Sequence, residues 1–516
     1  MPPPPHCRGA AEAAAAVAPL QPPTGIWSAK TVLTPAQRLR YLLLLAALAG
    51  FLLWDYKVAL ALLNFAACAF YGFAVFYKAR CVTASLFRPA DLKVAPAEIA
   101  ALPDAELPAY TVLVPLYKEA NIAARLVTAL GQLDYPPAKL DVQLLVEAED
   151  TETASACRRA SLPPHIRLVI VPDGQPRTKP RACNYGLGQA RGELLVIYDA
   201  EDRPEPDQLK KAALAFRRLP PAVACVQAKL NYYNARQNWL TRFFALEYSV
   251  WFDLFLPGLT RLGGPLPLGG TSNHFRTGIL RQLGGWDPYN VTEDCDLGIR
   301  LARKGDRTVV LDSTTWEEAN SRLWNWVRQR SRWVKGYLQS HFVHTRGFLE
   351  PWRDLGLRGG VGFLTSVGGQ VITQLLNPLY WGILIAWCLH PWQLIYLDRG
   401  ADGRYGAWSV LSWVFFGIGL LLFLANFLLI GVNLVACARR RWWFLAPYAL
   451  LAPFYWALIS FAAWKGVLQL LWKPFYWEKT VHGLDGLPTA SPADSAPAPT
   501  AAPGPAKLLP ADETPR

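Results

Sequence analysis

The chain has 516 residues and a formal charge of +13, and 52% of its residues are hydrophobic but only 18% are charged. Soluble domains usually carry about 25% charged residues, so this composition argues against a purely soluble protein and favours membrane segments. The basic residues lie beside apolar stretches, which suits an anionic membrane surface and disfavours a nucleic-acid partner. Nine dispersed cysteines without a CxxC pair argue against a disulfide framework or a structural zinc site.

Residues 1–35 are rich in proline and alanine and are predicted to be disordered. Two apolar runs follow, LRYLLLLAALAGFLLW and VALALLNFAACAFYGFAVFY, separated only by DYK. Each is close to the length of a bilayer-spanning helix, so residues 36–80 are predicted to form a transmembrane hairpin. Basic residues flank both outer ends, which places these ends, the linker 81–107 and the following domain in the cytoplasm.

Residues 108–345 alternate between two kinds of pattern. The runs YTVLVPLY, DVQLLVEA, IRLVIVP and ELLVIYDA are typical of buried parallel strands, and ANIAARLVTALGQL and TKPRACNYGLGQAR are typical of helices. This alternation predicts an α/β domain with a mainly parallel, doubly wound sheet. Ligands of such sheets bind at the carboxyl ends of the strands, where we therefore looked for candidate site residues.

The stretch DAED places three acids, Asp199, Glu201 and Asp202, at one of these strand ends. Carboxylates this close repel one another unless a positive charge lies among them. A hard divalent cation, Mg²⁺ or Mn²⁺, that also bridges a diphosphate meets this need. The alternative is a solvated turn that caps the next helix.

Two more acidic groups have the same ambiguity. Glu147 and Asp150 follow the strand DVQLL and either contact a ligand or cap the next helix. In the stretch NVTED, Thr292 precedes a helix that begins with Glu293 and Asp294. A carboxylate at this position either belongs to the cap or serves as a general base beside a sugar hydroxyl.

In QRSRW, Gln329, Arg332 and Trp333 share one helix face because they stand at i, i+3 and i+4. The arginine can hold a phosphate through two parallel hydrogen bonds, and the tryptophan can stack on a sugar ring. The alternative is an amphipathic helix on the membrane surface. Lys179 in TKP and Gly270 in GGTSNHF are weaker candidates for phosphate and ligand contacts.

Residues 346–482 contain two more runs long enough to cross a bilayer, VGFLTSVGGQVITQLLNPLYWGILIAWCL and WSVLSWVFFGIGLLLFLANFLLIGVNLVAC. A final apolar run contains Pro447, Pro453 and Lys465, which predicts a broken, partly inserted segment followed by an interfacial helix. Residues 483–516 are rich in proline and alanine and are predicted to be a disordered tail.

In chain order, VPLYKEAN, TKP, DAED, GGTSNHF, TED and QRSRW resemble the motifs of processive, membrane-embedded family 2 glycosyltransferases, the group of cellulose and hyaluronan synthases. Bacterial synthases of β-glucans such as mixed-linkage glucan are the most similar branch. The resemblance implies a GT-A-type fold inserted between transmembrane helices, in a multi-pass protein of the bacterial inner membrane. It implies inverting transfer from a UDP-sugar, with glucose favoured over N-acetylglucosamine, to a growing β-glycan that crosses the membrane.

The resemblance also implies roles for single residues. Asp294 would be the general base with Glu293 beside it, and the acids of DAED would bind the Mg²⁺ or Mn²⁺ ion. The implied donor-binding residues are Glu147, Asp150, Lys179, Gln329 and Arg332. The implied acceptor-binding residues are Trp333 and Gly270. The late stretch FYWEKTVHG resembles the gating loop of cellulose synthases and contributes Lys479, Thr480 and His482. Glu201 replaces the usual second aspartate, and EAED stands where the family has two aspartates.

Two other functions stay open. A non-processive transferase acting on a lipid acceptor would differ in product size. A receptor or assembly protein with a degenerate transferase domain is disfavoured by the intact acids and the intact QRSRW. The partners expected are therefore a UDP-sugar, a polysaccharide acceptor and the lipid bilayer, with room for an export partner that spans the envelope.

Overall fold

The computed structural model describes residues 21–389 and 407–476. Its centre is an eight-stranded sheet with the order β3-β2-β1-β4-β7-β6-β8-β5. In chain order the strands are β1 Tyr110–Leu116, β2 Leu140–Glu147, β3 Ile166–Val171, β4 Leu194–Ile197, β5 Arg203–Pro204, β6 Val223–Tyr232, β7 Asn273–Arg276 and β8 Arg307–Glu317.

The first four strands form the parallel half of the sheet. β1 pairs in parallel with β2 and β4, and β2 pairs in parallel with β3. These strands coincide with the four apolar runs predicted from the sequence. Side chains of β1 and β2 are buried because apolar cores lie on both faces of the sheet. The predicted parallel arrangement is confirmed for these strands.

The other half of the sheet is mixed. β7 runs antiparallel to both β4 and β6, whereas β8 runs parallel to β6 and antiparallel to β5. The sheet therefore departs from a wholly doubly wound arrangement. The sequence pattern did not reveal this because β7 is only four residues long.

Helices cover the sheet on both faces. Two of them, Trp239–Val250 and Leu256–Arg261, are joined by the π-helical stretch Trp251–Phe255. The remaining α-helices between the hairpin and residue 363 are Pro96–Ala100, Ala123–Leu130, Thr151–Arg159, Lys179–Gln189, Gln208–Arg218, Thr277–Gln282, Glu293–Arg303, Leu323–His344 and Glu350–Phe363.

Of the described helices, four are long and apolar enough to cross a membrane: Pro35–Trp54, Tyr56–Phe87, Val414–Arg440 and Ala452–Trp472. The first two form the predicted hairpin. Asp55 separates them and caps the second helix, because its carboxylate accepts hydrogen bonds from the N–H groups of Lys57 (3.0 Å) and Val58 (3.1 Å). The second helix continues to Phe87 and so extends past the predicted end of the hairpin at residue 80.

The next predicted span, within residues 361–389, is divided in the structure. Its first residues end the helix Glu350–Phe363, the π-helical stretch Leu364–Gly369 follows, and the helix Gln370–Leu389 completes it. The four membrane-length helices of the described chain do not include it. The span predicted over residues 408–437 makes up most of the long helix Ala407–Arg440.

The final apolar run also differs from the prediction. Pro447 and Pro453 lie in the first turns of the helices Ala446–Leu450 and Ala452–Trp472, where proline is tolerated because its missing N–H would have no partner in the helix. The second of these helices is therefore unbroken. Its Lys465 donates a hydrogen bond to the Ser331 hydroxyl at 3.0 Å, so this charge faces the sheet domain.

The predicted disorder of residues 1–35 is wrong for residues 21–35. A 3₁₀ turn, Gly25–Trp27, precedes the fully buried Ala29, and contacts with the sheet domain explain this order. Residues 1–20 lie outside the described residues. So do the predicted tail 483–516 and the gating-loop-like residues Lys479, Thr480 and His482.

A buried charge cluster joins the sheet to the membrane-length helices. Its members are Lys229, Arg439, Arg440, Asp91, Asp253 and Asp312. The Lys229 ammonium on β6 lies 2.8 Å from Asp91 and 2.5 Å from Asp312. The guanidinium of Arg440, at the end of a long apolar helix, contacts Asp253 at 2.5 Å. Three acids and three bases thus compensate one another at this junction.

The junction also includes a close backbone contact. Gly258 packs so tightly on the carbonyl oxygen of Cys81, in the second membrane-length helix, that a Cβ atom would overlap it. The sheet domain and the hairpin therefore touch without intervening side chains.

Lys229→Met should destabilise the fold by about 3 kcal/mol, because it leaves Asp91 buried with only Arg439 to compensate its charge. The matched control is Lys210→Met, whose exposed partner Asp134 limits the loss to less than about 1 kcal/mol. Chemical or thermal unfolding of the two variants in detergent measures the difference. Equal stabilities would contradict a compensating role for Lys229.

Candidate active site

A cavity of about 490 Å³ lies at the carboxyl ends of the parallel strands. Ten of the residues singled out from the sequence line it: Glu147, Lys179, Asp199, Glu201, Gly270, Glu293, Asp294, Gln329, Arg332 and Trp333. They come from strand ends, from a glycine-rich loop and from three helices that are separated along the chain. The fold therefore brings the separate sequence motifs to one place.

Lys179 connects two sides of this cavity. It is the first residue of the helix Lys179–Gln189, and its ammonium group donates hydrogen bonds to the Asp199 carboxylate and to the carbonyl oxygen of Gly270 (3.0 Å). Burial alone would lower the pKa of Lys179, but the carboxylates of Asp199 and Glu293 outweigh burial and raise it. The side chain is therefore a fixed positive charge beside the acids.

The acids of DAED divide between two environments. Asp199 and Glu201 line the cavity, whereas Asp202 is buried beneath it. The Asp202 carboxylate accepts hydrogen bonds from the N–H of Asp199 (2.8 Å) and from the Thr271 hydroxyl. Burial, together with Asp199 and Glu201, raises its pKa. The expected share of Asp202 in the metal site therefore stays a prediction, and its position is less accessible than those of Asp199 and Glu201.

The remaining donor set was tested for its fit to a divalent cation. Within the described ranges, no cluster of three or more His, Cys, Asp or Glu side chains could hold a metal ion. The two cavity-lining carboxylates, Asp199 and Glu201, still suit Mg²⁺ or Mn²⁺, because such ions commonly take one or two protein carboxylates and complete their shell with phosphate and water. The residues present thus fit a cation that arrives with a nucleotide.

The stretch EAED also divides. Glu147 ends β2, lines the cavity and forms an ion pair with Arg181 at 3.0 Å, and burial raises its pKa. Asp150 instead caps the helix Thr151–Arg159 by accepting a hydrogen bond from the N–H of Thr153 at 3.2 Å. Its other oxygen accepts from the N–H of Lys118. The capping role is therefore observed, and the nucleotide contact expected for Asp150 stays a prediction.

The TED stretch forms a second wall of the cavity. Glu293 and Asp294 begin the helix Glu293–Arg303, and the Asp294 carboxylate accepts a hydrogen bond from the N–H of Cys295 at 2.7 Å. Gly270 faces the same carboxylate, because a Cβ atom at this glycine would lie 3.4 Å from its second oxygen. Burial raises the pKa of both acids, and their proximity raises that of Glu293 further. Each therefore has a higher proton affinity than an exposed carboxylate.

The helix Leu323–His344 supplies the third wall. Gln329 accepts a hydrogen bond from Asn320 at 2.8 Å, which fixes its side chain at the rim. Arg332 is held near the carbonyl oxygen of Val291 (3.5 Å), and burial lowers its pKa against the opposing effect of Glu293 and Asp294. Trp333 packs beside aromatic rings of the helix Trp239–Val250.

The structure adds cavity residues that the motifs did not predict. Glu247 forms an ion pair with Arg330 and accepts a hydrogen bond from the Tyr455 hydroxyl at 2.8 Å. Its signal in the sequence was a lone acid within the apolar stretch FFALEYSVWF. Glu317, at the carboxyl end of β8, also lines the cavity. The strand-end argument applied to DAED would have found it.

A second cavity, of about 190 Å³, lies beside the first among the membrane-length helices. The two cavities share the lining residues Glu247, Trp251, Gln370, Gln374 and Ile459. Gln370, Gln374 and Asn377 follow one another at i, i+4 and i+7 along one face of a helix. Each has a buried side-chain oxygen without a hydrogen-bond partner among the described residues. A row of carboxamides thus leads away from the candidate active site.

Together, the mixed sheet and its acid-lined cavity define a GT-A-type glycosyltransferase fold. A mannosyltransferase from Pyrobaculum calidifontis, solved with GDP-Man and Mn²⁺, matches it with a TM-score of 0.50 at 20% identity, over 80% of this chain and 99% of that one. Residues 108–336 match the model described as glycosyltransferase like family 2. This region is therefore similar to family 2 glycosyltransferases, and the expected GT-A-type fold is confirmed.

Several named proteins resemble the same region. A probable glycosyltransferase, YdaM, of Bacillus subtilis is 28% identical over 45% of this chain and 56% of its own length. A beta-monoglucosyldiacylglycerol synthase of Trichormus variabilis is 27% identical over 50% of this chain and 53% of its own length. Glucomannan 4-beta-mannosyltransferase 2 of Arabidopsis thaliana is 26% identical over 46% and 45%. The chain spans about half the length of these relatives, and they differ in the acceptors their names imply.

Gly336→Ala should destabilise the protein, because Gly336 packs so closely on Thr292 that a Cβ atom would overlap the threonine side chain. We expect a loss of about 1–3 kcal/mol. The matched control is Gly188→Ala, in the helix Lys179–Gln189, where a Cβ atom has open space. This control should equal or exceed the parent in thermal unfolding followed in detergent. Two variants of equal stability would show that the TED loop is not packed as described.

Proposed function

We propose that the chain is a membrane-associated inverting β-glycosyltransferase that moves a sugar, glucose favoured, from a UDP-sugar to the end of a growing glycan. The observation that carries this proposal is the convergence of Asp199, Lys179, Asp294, Arg332 and Trp333 on one cavity. A non-enzymatic receptor would not need buried acids with raised pKa values beside fixed cations.

The donor is held on the side of Lys179 and Arg332. Their positive charges attract the two phosphates of a nucleoside diphosphate, and Gln329 and Glu147 line the same cavity for polar contacts with the donor. Asp199 and Glu201 would hold the Mg²⁺ or Mn²⁺ ion, which when bound neutralises charge on the departing diphosphate. The cationic side chains therefore orient the leaving group toward the sheet edge.

Asp294 removes the proton from the acceptor hydroxyl. Its carboxylate lines the same cavity as Asp199 and faces the glycine-rich loop at Gly270. The raised pKa of the Glu293–Asp294 pair increases its capacity to accept a proton. Attack from this side on the anomeric carbon of the donor inverts the configuration, because the leaving diphosphate departs toward the other wall.

The acceptor is a glycan that lies against Trp333 and enters the second cavity. Sugar hydroxyls would satisfy the side-chain oxygens of Gln370, Gln374 and Asn377, which have no partner among the described residues. An acyl chain would leave these polar groups unpaired at a cost of about 1–3 kcal/mol each. The carboxamide row therefore supports a polymer that extends toward the membrane over a purely lipid acceptor.

A lipid acceptor is the second candidate. The similarity to the Trichormus protein, a beta-monoglucosyldiacylglycerol synthase that matches half of this chain, favours it. Either acceptor is compatible with a bacterial inner-membrane protein whose transferase domain faces the cytoplasm, the location that the basic flanks of the apolar helices support. A polymer would then leave on the far side, where an export partner could receive it.

Asp294→Asn should reduce sugar transfer by about 10²–10⁴-fold, because the amide cannot accept the acceptor proton. UDP-sugar affinity should stay within about threefold, since the base contacts the acceptor. The assay is label incorporation from UDP-glucose and UDP-N-acetylglucosamine with Mg²⁺ or Mn²⁺, alongside calorimetric binding. The control is Asp134→Asn, which alters an exposed carboxylate that pairs with Lys210, and it should keep full activity.

The parent enzyme should lose transfer at acid pH, because a protonated Asp294 cannot act as a base. Burial raises the pKa of Asp294, so activity should already fall at a pH above about 4, the usual pKa of an exposed carboxyl group.

Full activity in Asp294→Asn would eliminate the assigned base. An inactive parent with every donor tested would eliminate the proposed function.

The paired substitutions Gln374→Leu and Asn377→Leu should shorten the product, because hydroxyls entering the second cavity lose their partners while the reacting groups are unchanged. Gel filtration and glycanase digestion measure product length and linkage. A single glucosyl unit on a lipid, unaffected by these substitutions, would favour the lipid acceptor. The control Asn426→Leu alters a carboxamide that does not line either cavity. It donates to the carbonyl oxygen of Leu422 and accepts from the Tyr71 hydroxyl at 3.5 Å.

A further inference from the structure

We infer that Asp287 is a positioning residue for the TED loop, held in place by the segment 21–34 that precedes the first membrane-length helix. This segment is called the N-terminal strap below. The inference uses the proposed function only for its activity readout. It rests on contacts between residues more than 250 positions apart.

The strap binds Asp287 through two donors. The Ser28 hydroxyl donates to one carboxylate oxygen at 3.0 Å, and the backbone N–H of Ala29 donates to the other at 2.5 Å. Ser28, Ala29 and Asp287 are all buried. If the strap were removed, the carboxylate would keep the hydrogen bond that it accepts from the Tyr289 N–H at 3.1 Å. Asp287 and the strap therefore depend on each other.

Cations secure the strap from the other side. Arg303 lies over the Trp27 ring, 4.5 Å from its centroid, and Lys304 lies 5.2 Å from it. The Arg346 guanidinium donates to the carbonyl oxygens of Gly25 (2.8 Å) and Ser28 (2.9 Å). Arg303 belongs to the helix that begins with Glu293 and Asp294, so the strap contacts both ends of this catalytic segment.

The loop from Asp287 to Thr292 connects the strap to the proposed base. At its far end, the Val291 N–H donates to Gln339 at 3.1 Å, and Asn290 donates to the Ser340 hydroxyl at 3.0 Å. Gln339 and Ser340 belong to the same helix as Arg332. The loop is thus fixed at one end by that helix and at the other end by the strap.

The charges around Asp287 make its anchoring sensitive to the strap. Burial and the nearby Asp296 raise its pKa to about 6, against the opposing effect of the N–H groups of Ala29 and Tyr289. Arg300 and Arg346 are the cations that face it. Asp296 is compensated by Arg300 (2.7 Å) and His344 (3.1 Å). Loss of the strap donors would leave a carboxylate with little hydrogen bonding at the start of the loop, which would then shift.

The first membrane-length helix continues this connection. Gln37, in its first turn, donates to the carbonyl oxygen of Phe342 at 2.9 Å, and Arg40 donates to that of Thr345 at 3.2 Å. Both acceptors lie at the end of the helix Leu323–His344 and just beyond it. The strap therefore transmits the position of a membrane-embedded helix to the loop that carries Asp294.

Asp287→Asn tests the inference in the full-length protein. We expect kcat to fall about 10- to 100-fold with the KM for the UDP-sugar changed by less than about twofold, because the base is displaced while Lys179 keeps its contacts with Asp199 and Gly270 on the donor side. The matched control is Asp141→Asn. This buried acid bonds Thr111 and Arg167 at the amino end of β2, away from the cavity. It should lower stability without lowering kcat.

The strap is tested from its own side by the double variant Trp27→Ala with Ser28→Ala, which also serves if Asp287→Asn does not fold. It should lower kcat in the same manner, and combining it with Asp287→Asn should add little further loss, because both changes remove one interaction. Two results would overturn the positioning role. One is a combined variant whose kcat loss is the product of the two separate losses. The other is a kcat for Asp287→Asn that equals the kcat of Asp141→Asn when the two variants are equally stable.

Hydrogen exchange provides a readout independent of activity. In the parent, the N–H groups of Ala29 and Val291 are bonded and should exchange slowly. In the strap variant, exchange at residues 287–294 should accelerate by about tenfold or more. Unchanged hydrogen exchange at residues 287–294 would overturn the inference even if the parent protein has high sugar-transfer activity. Accelerated exchange in a protein with no transferase activity would support the coupling while refuting the proposed function.

Discussion

The candidate site depends on the hydrogen bonds of the Lys179 side chain. Its ammonium group ties the end of β4, through Asp199, to the glycine-rich loop, through the carbonyl oxygen of Gly270. The loop in turn faces Asp294. One buried cation thus sets the spacing between the acids proposed to hold the metal ion and the acid proposed to accept the proton. It also lowers the free-energy cost of crowding carboxylates at the rim of the sheet.

Much of this arrangement could be predicted from the sequence. Long apolar runs that end in acids define parallel strands and the edge at which they stop, and helical spacing placed Gln329, Arg332 and Trp333 on one face. These features are local in the chain. The pattern could not decide which acid of each group faces the cavity, because this depends on tertiary neighbours. The Asp202 carboxylate accepts hydrogen bonds from the Thr271 hydroxyl and from the N–H of Asp199. The Asp150 carboxylate accepts a hydrogen bond from the N–H of Thr153.

Features that depend on distant contacts were missed for the same reason. The Pro/Ala-rich composition of the N-terminus predicted disorder through residue 35, yet Ser28 and Ala29 are ordered by a carboxylate far along the chain. The carboxamide row in the helix Gln370–Leu389 was hidden within an apolar run long enough to be read simply as a membrane span. Its meaning comes from the cavity that it faces.

The overlap-free fit of Gly258 against Cys81, together with the paired charges around Lys229, has a mechanical consequence. Where Gly258 meets Cys81, a displacement toward the helix would make the two backbones collide, and a displacement away from the charge cluster would separate buried charges from their partners. The sheet domain and the hairpin therefore resist movement relative to each other at this contact. Motion during a reaction cycle is left to short loops and individual side chains, and hinge-like rocking of the whole domain above the bilayer is disfavoured.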